Sequence, residues 1–391
     1  MTSYLMKTYN PIPVTLEKGQ GVWVWDKNGK KYLDAFAGIA VSNLGHNHPH
    51  FIKSLEAAMQ QVLHTSNILT IEVQEVLAKS LCDKAGMQQV FFGNSGAEAN
   101  ECAIKLARIY GHKKGIACPT IIVAENSFHG RTLATLTASG SRKVQAGFEP
   151  LVQGFVRAPY NDLAALAAIA QNNQDIVAIL MEPLQGEGGI RVANKDYLAG
   201  IRALCDQHDW LMMVDEVQTG MGRTGQWFGF QHQSAVPDVI TLAKALGNGV
   251  PIGACLTRDK AVDLFHVGNH GSTFGGNPFS CRAALAVLEA MEQEGLPQHA
   301  AVVGKYLLDK LTEKLRDIPG VVGIRGLGLM IGIELEKPCR EILQLAADQG
   351  LLVSITAEKV IRLLPPLVLQ QEEADEIANI LLEIIPQFYA L

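Results

Sequence analysis

The stretch Leu211–Gly249, LMMVDEVQTGMGRTGQWFGFQHQSAVPDVITLAKALGNG, constrains the fold more than any other part of the sequence. It opens on Leu211-Met212-Met213-Val214, an apolar run too short for a helix but suited to a strand buried on both faces, and ends in Asp215-Glu216. A second run, Val239-Ile240-Thr241-Leu242-Ala243, ends in Lys244 and then in the turn signal Gly247-Asn248-Gly249. A carboxylate and an amine therefore leave neighbouring strand ends on one side of a sheet. Open α/β sheets bind ligands outside the carboxyl ends of their strands, so both groups face a site there.

One chemistry needs both. Pyridoxal phosphate requires an amine to condense with its aldehyde, and an acid beside its pyridine nitrogen to keep that nitrogen protonated and the ring electron-withdrawing. A solvated lysine and a strand-end aspartate capping a turn would give the same letters, so the rest of the chain has to decide.

Val90-Phe91-Phe92 reads as a strand leading through Gly93-Asn94-Ser95-Gly96 into a helix whose Ala99, Ala103, Leu106, Ala107 and Tyr110 share one face. A glycine-containing turn that opens a helix offers free N–H groups and a positive dipole end to a phosphate; standing alone it would be an ordinary N-cap. No Gly-Lys-Ser/Thr follows, so it is not a Walker loop. Beside Asp215 and Lys244, the phosphate reading wins. Ile121-Ile122-Val123-Ala124 is another buried strand, followed by Phe128 and Arg131. An aromatic there can stack on a flat ring and an arginine can fork onto a carboxylate, while a core Phe and a solvated Arg are the plainer alternatives. Ile176–Met181 ends at Glu182 and a glycine-rich loop carrying Glu187, which could equally be a solvated turn. Tyr197, Leu198, Ile201, Leu204 and Cys205 mark a crossing helix, and the alternation of strand and helix from Val90 to Leu256 predicts a mostly parallel sheet.

Around this centre, Val22–Trp25 and Lys31–Leu33 flank Asn28-Gly29, a spacing that predicts a hairpin. Ile52, Leu55, Met59, Val62 and Leu63 keep helical spacing, as do Val73, Val76, Leu77 and Leu81. His46, His48 and His50 alternate, but no acid or cysteine stands nearby in sequence, so no metal is expected. After about Cys281 helices alternate with short strands: Val321–Leu335, Leu351–Ile355 and Val360–Leu364. A last helix carries Ile377, Ile380, Leu381, Ile384 and Ile385. Gly326-Leu327-Gly328 reads as a bulge within a strand, since no third glycine follows at dinucleotide spacing.

The run Asp215-Glu216-Val217-Gln218-Thr219-Gly220-Met221-Gly222-Arg223-Thr224-Gly225, followed by Lys244-Ala245-Leu246-Gly247-Asn248-Gly249-Val250-Pro251-Ile252-Gly253-Ala254, resembles the signature of class III pyridoxal-phosphate aminotransferases. The likeness extends from Gly21 to Pro366. It implies a fold-type I α/β architecture: a large domain with a mostly parallel seven-stranded sheet flanked by helices, and a smaller α+β domain built from both termini. The expected boundaries are 1–45 and 281–391 for the small domain and 46–280 for the large one. The resemblance also implies a set of roles. Lys244 is the catalytic lysine that holds the cofactor, and Ser95 and Gly96 take its phosphate. Phe128 covers its ring, and Asp215, Glu216, Val217 and Gln218 complete the pocket. Thr273 reaches the phosphate of the neighbouring subunit in a homodimer with shared sites, and Ser272 stands at the substrate. Arg131 takes a substrate carboxylate and Glu187 is a removable partner for Arg362. Glu182 would brace Gln218.

Within that family the likeness is strongest to the branch that moves the terminal amino group of N2-acetyl-L-ornithine to 2-oxoglutarate in arginine biosynthesis. Where ornithine-specific members carry a tyrosine that contacts the α-amino group, this chain carries Ile39, which would leave a free ammonium unpaired but tolerate an acyl group. Ornithine, succinylornithine, succinyl-diaminopimelate and 4-aminobutyrate remain open as donors. An aminomutase or a catalytically silent cofactor-binding protein remains open as a different class.

At 391 residues the chain exceeds one typical core, so two packed lobes are expected. A net charge of −6 gives no reason to expect nucleic acid or an anionic membrane as partner. Apolar runs are broken well before bilayer-spanning length, and the N-terminus lacks a basic-then-apolar signal, so a cytoplasmic location is expected. Seven widely spaced cysteines without C-x-x-C predict reduced thiols, mostly buried, and neither disulfides nor zinc.

Overall fold

The computed structural model describes residues 4–390. Seven strands form its central sheet in the order Gln89–Gly93, Gly253–Thr257, Val239–Leu242, Leu211–Asp215, Ile176–Met181, Thr120–Ala124 and Phe155–Ala158. All neighbours run parallel except Gly253–Thr257, which is antiparallel to both of its partners. Every residue of Ile176–Met181, Leu211–Asp215, Val239–Leu242 and Gly253–Thr257 is buried. Strands sandwiched between helices have no solvent face, and that is why they read as unbroken apolar runs. The helix Gly96–Lys113 crosses this sheet and buries Ala99, Ala103, Ile104, Leu106 and Ala107, with the polar Asn100 among them.

Two smaller sheets lie outside the central one. The first takes Leu16–Gln20, Trp23–Asp26 and Lys31–Asp34 from the N-terminal side and adds Leu351–Leu352 parallel to Lys31–Asp34, so the two ends of the chain share one sheet. The second is antiparallel, in the order Val321–Leu327, Met330–Leu335, Val360–Leu363 and Ser354–Thr356. The helices Leu296–Leu315 and Gln371–Ala390 pack on each other beside it, and Ile377, Leu381, Ile384 and Ile385 are fully buried. No helix of the described residues is long and apolar enough to cross a membrane.

Several elements differ from the sequence expectation. Val321–Leu335 is not one bulged strand but a hairpin, because Gly328 adopts φ 56° and turns the chain between Leu327 and Met330. Leu351–Ile355 is divided between the two small sheets. The helix expected to reach Leu63 spans Pro49–Met59 only, and Val62 and Leu63 beyond it are exposed.

Candidate active site

Asp215 is the last residue of its strand, and Lys244 follows the neighbouring strand by two positions; the parallel register sets Asp215 opposite Thr241. Both side chains line one cavity of about 400 Å³ at that edge of the sheet, together with Ser95, Gly96, Phe128 and Gln218.

Asp215 is held from three directions. Its Oδ2 accepts from His129 Nδ1 at 2.7 Å and from Asn100 Nδ2 at 2.8 Å, and its Oδ1 accepts from the Val217 N–H at 3.0 Å. Asn100 is fixed in turn by Thr241 Oγ1, which donates to its Oδ1 at 2.7 Å, and by its own bond to the His129 carbonyl at 2.8 Å. His129 Nε2 has no hydrogen-bond partner among the described residues, which fits the tautomer that donates from Nδ1. The carboxylate is thus immobilised while one lone pair of Oδ1 remains for a donor in the cavity.

Lys244 sits at φ 47°, in the left-handed region that non-glycine residues rarely occupy. Its amine makes no hydrogen bond or ion pair among the described residues. Burial, then the Arg362 charge, pulls it down to about 8 against the opposing effect of Glu187, Asp215 and Glu182. A lysine so placed is deprotonated far more readily than one in water, as a nucleophile must be.

The helix N-terminus at Gly96 completes the cavity. Ser95 caps it, its Oγ accepting from the Glu98 N–H at 3.2 Å, while the N–H groups of Gly96 and Ala97 have no acceptor among the described residues. A Cβ at Gly96 would stand 2.7 Å from Val217 Cγ1, so only glycine lets this backbone border the cavity. Free N–H donors, an uncommitted amine and a pinned carboxylate are the donor and acceptor set that a pyridine ring bearing an aldehyde and a phosphate requires, and the residues present fit pyridoxal phosphate.

Arg131 lines the cavity, exposed and without an ion-pair partner among the described residues, its guanidinium carbon 5.5 Å from the Phe128 ring centroid. Arg362 is buried behind Glu187. Its Nη1 donates to Glu187 Oε1 at 2.5 Å and more loosely to Gln218 Oε1 at 3.4 Å, and its Nε donates to Ser354 Oγ at 3.1 Å. Although burial raises the Glu187 carboxyl, Arg362, then Lys244 and Arg131, outweigh it and hold the group below the usual carboxylate range. Glu182 goes the other way, pushed well up by burial and by Asp215.

Not every residue singled out from the sequence arrives here. The Glu216 carboxylate turns away from the cavity. It accepts from Thr219 Oγ1 at 2.5 Å and from the Gly229 and Phe230 N–H groups at 2.9 and 2.8 Å, stitching the following loop down. Glu182 Oε2 accepts from the Phe128 N–H at 3.3 Å, and no bond joins it to Gln218. Ser272 and Thr273 stand outside the cavity of their own chain; Ser272 Oγ accepts from Asn94 Nδ2 at 3.2 Å, and Thr273 is exposed. Val41 lines the cavity and Ile39, 37% exposed, does not. His46, His48 and His50 each face their own carboxylate, on Asp34, Glu294 and Glu289. No group of three or more metal-ligating side chains converges among the described residues. Asn100 and His129 were missed. Asn100 left one signal, a polar residue on the apolar face of its helix.

Fold and cavity together define an α/β enzyme that uses pyridoxal phosphate. The aminotransferase class-III family matches residues 4–385, and the chain belongs to that family. It is 55% identical over 377 residues to an acetylornithine aminotransferase of Nitrosomonas europaea, covering 96% of each chain. Among solved structures it superposes on the ornithine aminotransferase of Toxoplasma gondii with a TM-score of 0.95 at 32% identity, covering 99% of this chain and 93% of that one. It also superposes on the acetylornithine aminotransferase of Elizabethkingia anophelis with a TM-score of 0.89 at 35% identity, covering 98% and 96%.

Proposed function

We propose that this aminotransferase takes the terminal amino group of N2-acetyl-L-ornithine and passes it to 2-oxoglutarate, yielding N-acetyl-L-glutamate 5-semialdehyde and L-glutamate. The observation that carries the reading is the unequal state of two arginines: Arg131 has no ion-pair partner among the described residues, whereas Arg362 is closed off by Glu187 at 2.5 Å. With Glu187 in place one arginine is open, which suits a donor whose single carboxylate lies far from the reacting amine. A donor with two carboxylates, such as glutamate, needs Glu187 to swing aside and release the second. Every acid lining the cavity is committed: Glu187 to Arg362, Asp215 to His129 and Asn100, and Glu182 held toward its neutral form. A free α-ammonium on the donor would find no counter-ion there, so an acylated donor fits better than ornithine itself. The close likeness to proteins named acetylornithine aminotransferase supports the same choice.

Pyridoxal phosphate, when bound, supplies an aldehyde that takes up the amino group and a ring that draws electrons from the carbon losing its proton. Lys244 Nζ would hold the cofactor and, when its amine is free, would take the proton from the donor's terminal carbon. Asp215 Oδ1 would hold the ring nitrogen in its charged form and Gln218 would bind the ring hydroxyl. The Ser95 hydroxyl and the Gly96 N–H would hold the phosphate, while Phe128 and Val217 would pack against the ring.

The same reading places Thr273 on the phosphate, and Ser272 at the substrate, of a second copy. Met59, Leu63 and Phe274 are exposed around a groove that shares Val250 and Pro251 with the cavity, an apolar surface continuous with the active site and suited to a homodimer partner. Single-turnover kinetics with N-acetylornithine, ornithine, N-succinylornithine and 4-aminobutyrate test the substrate. N-acetylornithine is expected to react at least roughly 10-fold faster than ornithine, about 1.4 kcal/mol of discrimination. Faster reaction of ornithine would overturn the choice.

A further inference from the structure

Arg223 does not line the active-site cavity and yet is fully buried, with no carboxylate bonded to it among the described residues. Its guanidinium is met by neutral oxygens from three separate segments. Nη1 donates to the Leu329 carbonyl at 2.9 Å and to the Pro365 carbonyl at 2.6 Å, and Nη2 donates to Asn43 Oδ1. Nε has no hydrogen-bond partner among the described residues. Burial, opposed by the charge of Asp34, pulls the group down to about 9. Taking an arginine out of water with no carboxylate to face it is strongly unfavourable, and an apolar side chain of similar volume would fill the space with a smaller desolvation penalty. What the guanidinium adds is the direction of its bonds.

The surrounding backbone repeats those links. The Leu329 N–H donates to the Arg223 carbonyl at 3.0 Å, so Arg223 both gives to and takes from the turn between Val321–Leu327 and Met330–Leu335. That turn comes so close that a Cβ at Gly328 would stand 2.7 Å from the Arg223 carbonyl oxygen. Asn43 is tied twice more: its Nδ2 donates to the Met221 carbonyl at 2.8 Å, and its carbonyl accepts from the Leu367 N–H at 2.7 Å. Each segment that meets Arg223 has a group of the active site close by in sequence: Val41 before Asn43, Gln218 before Arg223 itself, and Arg362 before Pro365. Asp215 and Gln218 belong to the central sheet and the loop that leaves it, whereas Arg362 belongs to the small antiparallel sheet. Thr356 Oγ1, donating to the Glu187 carbonyl at 2.7 Å, and Arg325 Nε, donating to the Ile190 carbonyl at 2.8 Å, hold that small sheet to the loop after Ile176–Met181. Arg223 holds it to the loop after Leu211–Asp215, and two separated points of attachment fix its orientation.

We propose that Arg223, together with Asn43, is a positioning residue for the second carboxylate of glutamate and 2-oxoglutarate, because it sets where Arg362 stands once Glu187 has moved aside. It touches neither substrate nor cofactor and acts through Arg362. While Glu187 is in place, the ion pair itself holds Arg362. With Glu187 gone, the guanidinium is held by Ser354 Oγ, loosely by Gln218 Oε1, and by the docking of the strand Val360–Leu363 that carries it. A displacement of about 1 Å spoils a two-point carboxylate contact. Substrates with two carboxylates therefore depend on Arg223, and a donor whose one carboxylate lies on Arg131 depends on it far less. The proposal rests on the two-arginine reading given above.

The test compares cofactor-loaded wild type with Arg223→Lys, Arg223→Met, Asn43→Ala and Arg362→Ala. Single-turnover absorbance with glutamate and with N-acetylornithine reads the two half-reactions. Calorimetry reads equilibrium binding of glutarate, which has both carboxylates of glutamate and no amine. Arg223→Met is expected to weaken glutarate binding and to slow the glutamate half-reaction at subsaturating substrate by roughly 10-fold, while the N-acetylornithine half-reaction changes by less than about 3-fold. Arg223→Lys keeps the charge and part of the bonding, and should fall between wild type and Arg223→Met. Asn43→Ala removes one acceptor and should repeat the pattern more weakly, so the test stands even where Arg223→Met does not fold. An equal loss in both half-reactions that tracks a lowered Tm would reduce Arg223 to a structural role and overturn the proposal. Loss in Arg362→Ala with none in the Arg223 and Asn43 variants would overturn the proposal alone, and no loss in Arg362→Ala would overturn the two-arginine reading and the proposal with it.

Discussion

Lys244 combines a left-handed backbone with a half-buried amine that has no partner among the described residues, and both features suit a side chain that must be free to form and break a covalent bond. Replacing it by alanine should lower turnover by at least roughly 10³-fold, measured as overall transfer to 2-oxoglutarate, because no other amine lines the cavity among the described residues. The amine reacts only when unprotonated. Since burial and Arg362 depress it to about 8, capture of pyridoxal phosphate by the cofactor-free chain should accelerate as pH rises through about 8 and level off above it. A rate that kept climbing toward about 10.4, where an ordinary lysine titrates, would show that the site does not depress it. Glu187→Ala opens Arg362 permanently. The half-reaction with N-acetylornithine should fall by roughly 10-fold and the one with glutamate by less, read from single-turnover absorbance. The reverse order would break the two-arginine account. Lys244, Asp215, Phe128 and Arg131 were legible because each ends or follows an apolar run. The clamp on Asp215 was not, since Asn100 and His129 are 115 and 86 residues away from it and are joined to it only by the fold.

The helix Gly96–Lys113 is the element on which the cofactor pocket depends most, because it brings both the open N–H groups and the Asn100 clamp. Gly96→Ala adds a Cβ 2.7 Å from Val217 Cγ1 and pushes two cavity walls apart; affinity for pyridoxal phosphate should drop by roughly 10-fold, by fluorescence titration, with the helix intact by circular dichroism. Unchanged affinity would remove the phosphate role of this turn. The buried parallel strands were plain in the sequence, because an element without a solvent face has no polar interruptions. Elements elsewhere were harder to read. Val62 and Leu63 extend the helical pattern of Pro49–Met59 beyond its true end, since apolar residues there face outward from the molecule and not into its core. The turn at Gly328 was hidden inside a run that is apolar on both sides of it, and only its left-handed φ separates a hairpin from a bulge.

For the whole molecule, the proposal that each site is finished by a second copy rests on the exposed apolar groove beside the cavity and on the outlying Thr273. Mixing Lys244→Ala with Thr273→Asp chains, each inactive or weakened alone, should restore activity to roughly a quarter of the wild-type level. Half of the randomly paired dimers are mixed, and each of those has one intact site of two. No recovery on mixing, with exchange of subunits verified by native mass spectrometry, would mean that the sites are not shared. Lys31–Asp34 pairs with Leu351–Leu352 in one small sheet, and Val360–Leu363 in the other holds Arg362 against Glu187, the pairing that the family resemblance implied. Everything rests on a single covalent attachment. Borohydride reduction of the cofactor-loaded protein, followed by peptide mass spectrometry, should place a phosphopyridoxyl group on Lys244 and on no other lysine, whereas attachment elsewhere, or none, would contradict the account.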